Sequence, residues 1–165
     1  MSESRLQDSE CEITLMVNGQ RTTVRVHAME RLLDVLRHEV GLTGAKEGCG
    51  EGECGSCSVL MDGVLVNSCL IPVIQAKGTD IVTIEGMSSD KQLAKLQQAF
   101  LDCGGAQCGI CTPGMILAVH HLLRKRPQPS LEEIREGLSG NLCRCTGYMQ
   151  IFDAVTQAAQ RGGVT

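Results

Sequence analysis

Three cysteines lie within nine residues of the glycine-rich segment 48–57. They are Cys49, Cys54 and Cys57, and their spacing is C-x4-C-x2-C. Thiolate sulfur binds soft and borderline metals, and this spacing is typical of the loop that holds a plant-type [2Fe–2S] cluster. Zinc sites favour paired C-x2-C units instead. The spacing therefore favours an iron–sulfur cluster over a zinc knuckle or a reactive redox loop.

The glycines between these cysteines fit the same interpretation. A short loop whose cysteines converge on one cluster needs unusual backbone angles, which glycine adopts without a Cβ clash. Backbone N–H groups that point inward can also hydrogen-bond the cluster sulfurs and tune the reduction potential. The glycines concerned are Gly48, Gly50, Gly52 and Gly55.

A second group of cysteines lies in the second half of the chain. Cys108 and Cys111 form a C-x2-C pair before a predicted helix, whose N-terminal dipole favours thiolates. Cys143 and Cys145 form a C-x-C pair in a connection flanked by glycines. Four converging thiolates could hold Zn²⁺ or a second [2Fe–2S] cluster, and spacing alone leaves both open.

The remaining cysteines divide into one ligand candidate and two ordinary thiols. Cys69 follows a predicted hairpin and completes the first set of four with Cys49, Cys54 and Cys57. Cys11 lies in a polar N-terminal segment and Cys103 near the end of a predicted helix. We expect those two to bind no metal.

The first half of the chain has the pattern of a small α+β domain. Residues 12–18 and 21–27 alternate polar and apolar positions, and Asn18-Gly19 between them is a strong hairpin signal. A second hairpin, turned by Asp62-Gly63, is predicted to join residues 58–61 to 64–68, with one more strand at 80–84. Between the hairpins, helical spacing predicts a helix that Gly41 ends, with apolar residues Leu32, Leu33, Leu36 and Val40.

From Lys91 onward the apolar period becomes helical, and four helices are predicted. The first stripe consists of Leu93, Leu96, Phe100 and Leu101. Thr112-Pro113 predicts an N-cap and a first-turn proline, and Ser130 to Glu133 has the pattern of a capping box. The fourth stripe consists of Ile151, Phe152, Val155 and Ala159.

Composition narrows the class of protein. The 165 residues have a formal net charge of −4 and no basic patch, so nucleic acid is not an expected partner. The polar, acidic residues 1–10 lack a secretion signal, and no apolar run is long enough to span a membrane. Ten cysteines are therefore expected to act in a reducing cytoplasm, where clustered cysteines more often bind metal or act in catalysis.

Three motifs in order resemble the iron–sulfur subunit of the molybdenum hydroxylases, the small-chain family of xanthine dehydrogenase, aldehyde oxidoreductase and carbon monoxide dehydrogenase. The resemblance extends from about Ile13 to Ala159. Its motifs are Lys46-Glu47-Gly48-Cys49-Gly50-Glu51-Gly52-Glu53-Cys54-Gly55-Ser56-Cys57, Gln107-Cys108-Gly109-Ile110-Cys111-Thr112-Pro113-Gly114 and Gly140-Asn141-Leu142-Cys143-Arg144-Cys145-Thr146-Gly147-Tyr148. Ser56 stands where many relatives carry alanine, a small-for-small difference.

The resemblance implies an α+β chain with two cluster-binding domains. The first, residues 11–86, would be a plant-type ferredoxin-like β-grasp domain. The second, residues 87–165, would be an all-α four-helix domain. Each would carry one [2Fe–2S] cluster, so the resemblance decides in favour of iron–sulfur at the second set. The implied ligands are Cys49, Cys54, Cys57 and Cys69 in the first domain, and Cys108, Cys111, Cys143 and Cys145 in the second.

The resemblance also implies partner chains. A large subunit would hold molybdopterin and a medium subunit FAD, in a heterotrimer that can dimerise. The second-domain cluster would lie nearer molybdenum and the first-domain cluster nearer flavin, with Gln107 and Cys145 against the pterin. Candidate contacts with the molybdenum subunit are Gly114, Met115, Ala118 and the segment 147–149, although core packing is an equal alternative for Met115.

The function implied is electron transfer between the molybdopterin centre and FAD within a multi-subunit oxidoreductase. This chain itself would contain no substrate-transforming site, and no catalytic residue is predicted. Two other functions remain as alternatives from the residues alone. The chain could be a free-standing two-cluster ferredoxin, or a colourless zinc module for protein interaction.

Overall fold

The structure is a computed structural model that describes residues 10–89 and 91–161. The side chains of residues 88–89 and 91–94 are not described. The acidic residues 1–9 and the side chain of Leu93 in the first helical stripe therefore lie outside the described residues, as do residues 162–165 of the predicted second domain.

The N-terminal hairpin forms as its alternating pattern predicts. Strands β1 (Glu10–Val17) and β2 (Gln20–His27) pair antiparallel, and the turn residues Asn18 and Gly19 have φ values of 53° and 75°. Asparagine and glycine tolerate these positive values, which a tight two-residue hairpin requires. The apolar residues of the alternation share the buried face of the pair, namely Ile13, Leu15, Val17, Val24 and Val26.

The second hairpin completes a five-stranded mixed sheet. Strands β3 (Ser58–Met61) and β4 (Val64–Asn67) turn at Asp62 and Gly63, and strand β5 is Asp80–Val82. The strand order is β2-β1-β5-β3-β4, with β5 parallel to β1 and antiparallel to β3. The predicted final strand reached residue 84, but pairing ends at Val82 because the Thr83 N–H donates to the Asn18 side chain instead.

The first helix differs in type from the prediction. Helix α1 (Leu32–Asp34) continues as a wide π-helical segment, Val35–Glu39, in which the Val40 N–H donates to the Val35 carbonyl at 3.0 Å. Gly41 follows with φ 78°, in agreement with the predicted end of the helix. An α-turn and a π-turn differ by one residue in hydrogen-bond span, which apolar spacing over so few residues cannot distinguish.

Four longer helices follow, and their bounds are α2 (Lys91–Asp102), α3 (Thr112–Lys125), α4 (Leu131–Gly137) and α5 (Met149–Gln160). The capping box of α4 is confirmed, since Ser130 Oγ accepts from the Glu133 N–H while Glu133 accepts from the Ser130 N–H. The predicted cap of α3 is wrong by one residue. Its N-cap is Cys111, and Thr112 is already helical, because the Cys111 carbonyl accepts the first helical bond from Met115.

Two apolar clusters fill the interior. One packs the sheet residues against α1, and the other packs helices α2 to α5 together. Leu60 of β3 belongs to the helical cluster, and Leu65 and Val82 pack against it, so the sheet and the helices adjoin. No helix within the described ranges has the length and apolar content needed to cross a bilayer.

Candidate iron–sulfur centres

The thiols of the first set meet as two pairs. Cys57 Sγ lies 3.4 Å from Cys69 Sγ, and both residues are buried. The Cys49 thiol hydrogen-bonds with Cys54, and Cys54 Sγ also accepts the Cys49 N–H at 3.3 Å. Cys57 ends the turn that leads into β3, and Cys69 lies in a 3₁₀ turn, Ser68–Leu70, that follows β4. The hairpin therefore brings residues 12 apart in sequence into contact.

Backbone amides of the glycine-rich loop surround the exposed sulfur of this set. The N–H groups of Glu51 and Glu53 donate to Cys49 Sγ at 3.4 and 3.3 Å. Gly50 and Gly52 have φ values of 72° and 81°, which a residue with a Cβ rarely adopts. These positive φ values turn successive amides toward the sulfur, as the sequence predicted for a cluster loop.

The two pairs of the first set differ in their acid–base behaviour. The N–H groups of Glu51 and Glu53 favour the anionic sulfur and lower the pKa of Cys49 to about 7. Burial, followed by the adjacent Cys57 thiol, raises the pKa of Cys69 to about 11. The thiolate form is thus favoured at the exposed Cys49. The buried pair, Cys57 and Cys69, needs a cation between its sulfurs before both can ionise.

The second set is also organised as two pairs, each joining the two halves of the motif. Cys111 hydrogen-bonds with Cys143, and both are buried. Cys108 hydrogen-bonds with Cys145, and both are exposed. Cys111 caps the N-terminus of α3, and the C-x-C segment lies between α4 and α5. The connection at the N-terminus of α3 and the α4–α5 connection therefore meet through their cysteines.

Side chains shape the α4–α5 connection. Thr146 Oγ1 donates to Cys143 Sγ at 3.2 Å and accepts the Tyr148 N–H at 3.1 Å. The Tyr148 hydroxyl accepts the Cys143 N–H at 3.1 Å. Tyr148 has φ 71°, a strained value for a residue with a bulky side chain, and its ring stacks on Phe152 with centroids 5.9 Å apart. The sulfur of Cys143 is therefore held by a closed network of local hydrogen bonds.

Burial and hydrogen bonding act in opposite directions on the buried pair of the second set. Burial raises the pKa of Cys111 to about 12, and the neighbouring Cys143 adds to the rise. Burial also opposes ionisation of Cys143, but donation from the Thr146 hydroxyl and from the backbone of Thr146 and Cys145 outweighs it and lowers that pKa. Contact with Cys108 raises the pKa of Cys145. In the buried pair the thiolate of Cys143 is thus favoured, and ionisation of both sulfurs requires a bound cation.

The two sets are in direct contact. The Leu142 N–H, one residue before Cys143, donates to the Cys54 carbonyl at 2.9 Å. Gly55 has φ 67°, and an added Cβ there would approach Gly140 and Asn141 within 3.0 Å. A Cβ on Gly114 of α3 would meet the Gly55 carbonyl equally closely. Both glycines are therefore required for the backbones of the two sets to lie this close.

The donor chemistry fits a [2Fe–2S] cluster in each set. Such a cluster takes four thiolates, two at each of its two irons, and each set supplies two thiol pairs. Within residues 10–89 and 91–161, no three His, Cys, Asp or Glu side chains close around one point as ligands of a single ion would. The pairs, the amides aimed at sulfur and the glycine contacts together provide the positions that a two-iron cluster needs.

Other residues named from the sequence divide between the surface and the core. Gln107 is exposed beside Cys108, at the same edge as Cys145. The suggested partner contact through Gly114, Met115 and Ala118 is wrong, because all three are buried. Met115 is 0% exposed in the helical core, and Gly114 packs on Gly55. Within the segment 147–149, Gly147 and Met149 are exposed.

The thiols of the two cysteines expected to be ordinary have polar contacts away from the two sets. Cys11 Sγ lies 3.8 Å from the Val26 carbonyl, and Cys103 Sγ lies 3.7 Å from Gln157 Oε1. Both side chains are half-buried. Neither contact involves a cysteine of the two sets.

Sequence reasoning missed the residues that support the sulfurs and the loops around them. Asn141, Thr146 and Tyr148 stand inside the third motif, but nothing in their spacing indicates their hydrogen-bond partners. Asn67 Nδ2 donates to the Gly52 carbonyl at 2.7 Å and was not singled out at all. The contacts of Asn67 and Asn141 join different segments of the chain, so only the folded protein shows them.

Comparison with known proteins shows two [2Fe-2S]-binding regions in this chain. Residues 15–74 match the model of a 2Fe-2S iron-sulfur cluster binding domain, and residues 83–156 match that of a [2Fe-2S] binding domain. The small FeS subunit of nicotinate dehydrogenase from Eubacterium barkeri is 49% identical over 149 residues, which are 90% of this chain and 95% of that protein. The chain belongs to the iron–sulfur subunits of the molybdenum hydroxylases.

Two further relatives support membership of this iron–sulfur subunit family. The small subunit of nicotine 6-hydroxylase from Paenarthrobacter nicotinovorans is 50% identical over 147 residues, covering 89% of this chain and 88% of that one. The crystal structure of quinoline 2-oxidoreductase from Pseudomonas putida 86 contains a chain with a TM-score of 0.87 and 44% identity, covering 94% of this chain and 99% of that chain. The mixed sheet with its helices is thus the fold of this iron–sulfur family.

Proposed function

We propose that this chain carries electrons, one at a time, between a molybdopterin centre in a large partner subunit and FAD in a medium partner subunit. When bound, two [2Fe–2S] clusters supply one-electron acceptance and donation. The observation that carries the proposal is the hydrogen bond from Leu142 N–H to the Cys54 carbonyl. This bond holds the two thiol sets close together, and electron transfer between their clusters requires such a short separation, whereas two independent metal sites do not.

In this proposal the chain's own residues hold the clusters and adjust their environment. Cys49, Cys54, Cys57 and Cys69 hold the first cluster, and Cys108, Cys111, Cys143 and Cys145 hold the second. The amides of Glu51 and Glu53 favour negative charge at Cys49, and the Thr146 hydroxyl does so at Cys143. Burial of Cys57, Cys69, Cys111 and Cys143 excludes water from one pair in each set.

The proposed division into domains follows the two apolar clusters. Residues 11–86 would form a β-grasp, plant-type ferredoxin-like domain around the sheet and α1. Residues 87–165 would form a four-helix domain around α2 to α5. The separate sheet and helical clusters support this division, and Leu60 and Leu65 supply the apolar contact between the two.

The exposed edge of the second set is the proposed contact with the molybdenum subunit. Gln107 and Cys145 would lie against the pterin there. Exposed apolar side chains at the same edge support the assignment, since Ile110, Leu142 and Met149 are each about half exposed. The proposed assembly is a heterotrimer in the cytoplasm. The experiment below measures whether this heterotrimer dimerises.

Purification from the native host tests the function. We expect about four irons and four labile sulfides per chain, two distinct EPR signals after partial reduction, and co-eluting molybdenum and FAD. The size of the eluted complex shows whether the heterotrimer dimerises. Four irons without molybdenum or larger chains would instead establish a free-standing ferredoxin. Zinc without an EPR signal would refute electron transfer altogether.

A further inference from the structure

The side-chain amide of Asn141 lies at the junction of the two cysteine sets and is 3% exposed. Its Nδ2 donates to the Gly55 carbonyl at 3.0 Å and to Ser58 Oγ at 3.3 Å. Both partners belong to the first half of the chain, 86 and 83 residues away in sequence. Asn141 therefore connects the α4–α5 connection to the cluster loop without contacting a sulfur.

We propose that Asn141 is a positioning residue that fixes the contact between the two sets and thereby sets the rate of electron exchange between the two clusters. The inference rests on the function proposed above. It assigns to Asn141 no role in binding iron and none in contacting a partner subunit.

The backbone next to Asn141 explains why its position matters. Asn141 directly precedes Leu142, whose N–H donates to the Cys54 carbonyl, and Leu142 directly precedes Cys143. A shift of the Asn141 side chain would therefore move the backbone hydrogen bond that links a ligand residue of the first set to the α4–α5 connection. Electron exchange depends steeply on separation and on bonded contact, so a small displacement here has a large effect on rate.

The surroundings of Gly55 allow this role to be tested separately from folding. The Gly55 carbonyl also accepts from Ser58 Oγ at 2.8 Å and from the Ser58 N–H at 3.1 Å. Loss of the Asn141 amide would therefore leave that carbonyl satisfied, and the first loop would keep its own hydrogen bonds. The expected defect lies between the sets and not within either of them.

The test compares Asn141→Ala with Asn67→Ala in the complete complex purified from the native host. Asn67 is a matched control, because its Nδ2 also donates to a loop carbonyl, that of Gly52, and its Oδ1 accepts from Ser58 Oγ at 3.4 Å, with both contacts within the first half. After full reduction, we expect Asn141→Ala to weaken the EPR splitting caused by interaction between the two clusters. Rapid mixing should show a severalfold slower exchange of electrons between them. Asn67→Ala should retain both properties.

Each outcome decides the inference. Unchanged splitting and exchange in an Asn141→Ala complex with four irons would overturn it, whatever the loss of thermal stability. If that variant does not hold iron, Asn141→Ser, which keeps a smaller donor, is measured instead. Loss of iron from both while Asn67→Ala keeps it would make Asn141 a folding determinant and overturn the positioning role. Absence of two clusters in the parent complex would refute the proposed function instead.

Discussion

The two cysteine sets stabilise their sulfurs with different parts of the chain. In the first set, backbone amides of a glycine-rich loop point at Cys49, and positive φ values at Gly50 and Gly52 make this possible. In the second, a threonine hydroxyl supports Cys143 and a tyrosine hydroxyl satisfies its N–H. The loop thus uses mainly its own backbone to stabilise a thiolate, whereas the connection between helices adds a side-chain hydroxyl to its backbone donors.

Removing one buried thiol from each set is the strongest test of their independence. We expect Cys57→Ala to abolish the first cluster and Cys111→Ala the second, because three thiolates leave one iron without its ligand pair. Each variant should keep about two of about four irons and lose one of the two EPR signals. Cys11→Ala and Cys103→Ala are the controls and should keep all the iron. Loss of both signals on a single change would show that the sets fold as one unit.

Gly114→Ala tests the close contact between the sets. Its Cβ would press on the Gly55 carbonyl, so we expect net destabilisation of about 1–2 kcal/mol, after the gain of up to about 1 kcal/mol from better helix propensity. The midpoint of urea denaturation measures the change. Gly140→Ala is the control, because a Cβ there meets nothing within 4 Å. Equal stability of both variants would contradict the tight packing.

Two hydroxyl groups test how each set adjusts its reduction potential. A donor to sulfur stabilises the more negatively charged reduced cluster, so removing it should make the potential more negative. We expect a larger shift for Thr146→Val than for Ser56→Ala, since Thr146 Oγ1 donates to Cys143 Sγ at 3.2 Å, whereas Ser56 Oγ lies 3.5 Å from Cys54 Sγ and accepts from that thiol. An EPR-monitored redox titration measures both shifts. Thr146→Ser keeps the donor and should preserve the potential.

Substitution in the capping box of α4 should have the smallest effect of these changes. The effect should be confined to the helices of the second half. Ser130→Ala removes the cap and should cost about 1 kcal/mol, read as a lower thermal midpoint. The Ser130 N–H, followed by its hydroxyl, lowers the pKa of Glu133. The stabilisation of the folded state by ionised Glu133 is therefore complete above the ordinary glutamate pKa. It is lost as the pH falls through the lowered pKa of the folded state. The substitution keeps the N–H and removes only the hydroxyl, so the deficit should shrink in part at acid pH, and a deficit that grows there would contradict this assignment.

Local patterns predicted most of the elements. Asn18-Gly19 and Asp62-Gly63 indicated both hairpins, and Ser130 with Glu133 indicated the start of α4, because each signal acts between residues close in sequence. The errors also have local causes. Apolar spacing does not distinguish the π-helical segment 35–39 from an α-helix, and the cap of α3 depends on which carbonyl accepts the first helical bond.

The donor chemistry of this protein follows from its amino-acid sequence alone. The number, type and spacing of the cysteines, with glycines between the first three, specify soft-metal sites and a loop that can adopt positive φ. Tertiary packing determines which sulfurs pair, that Met115 and Ala118 face the core, and that Asn141 and Leu142 join the second set to the first. Such contacts join residues up to 88 positions apart, as in the bond from Leu142 to Cys54, and only the packing of the sheet against the helices brings them together.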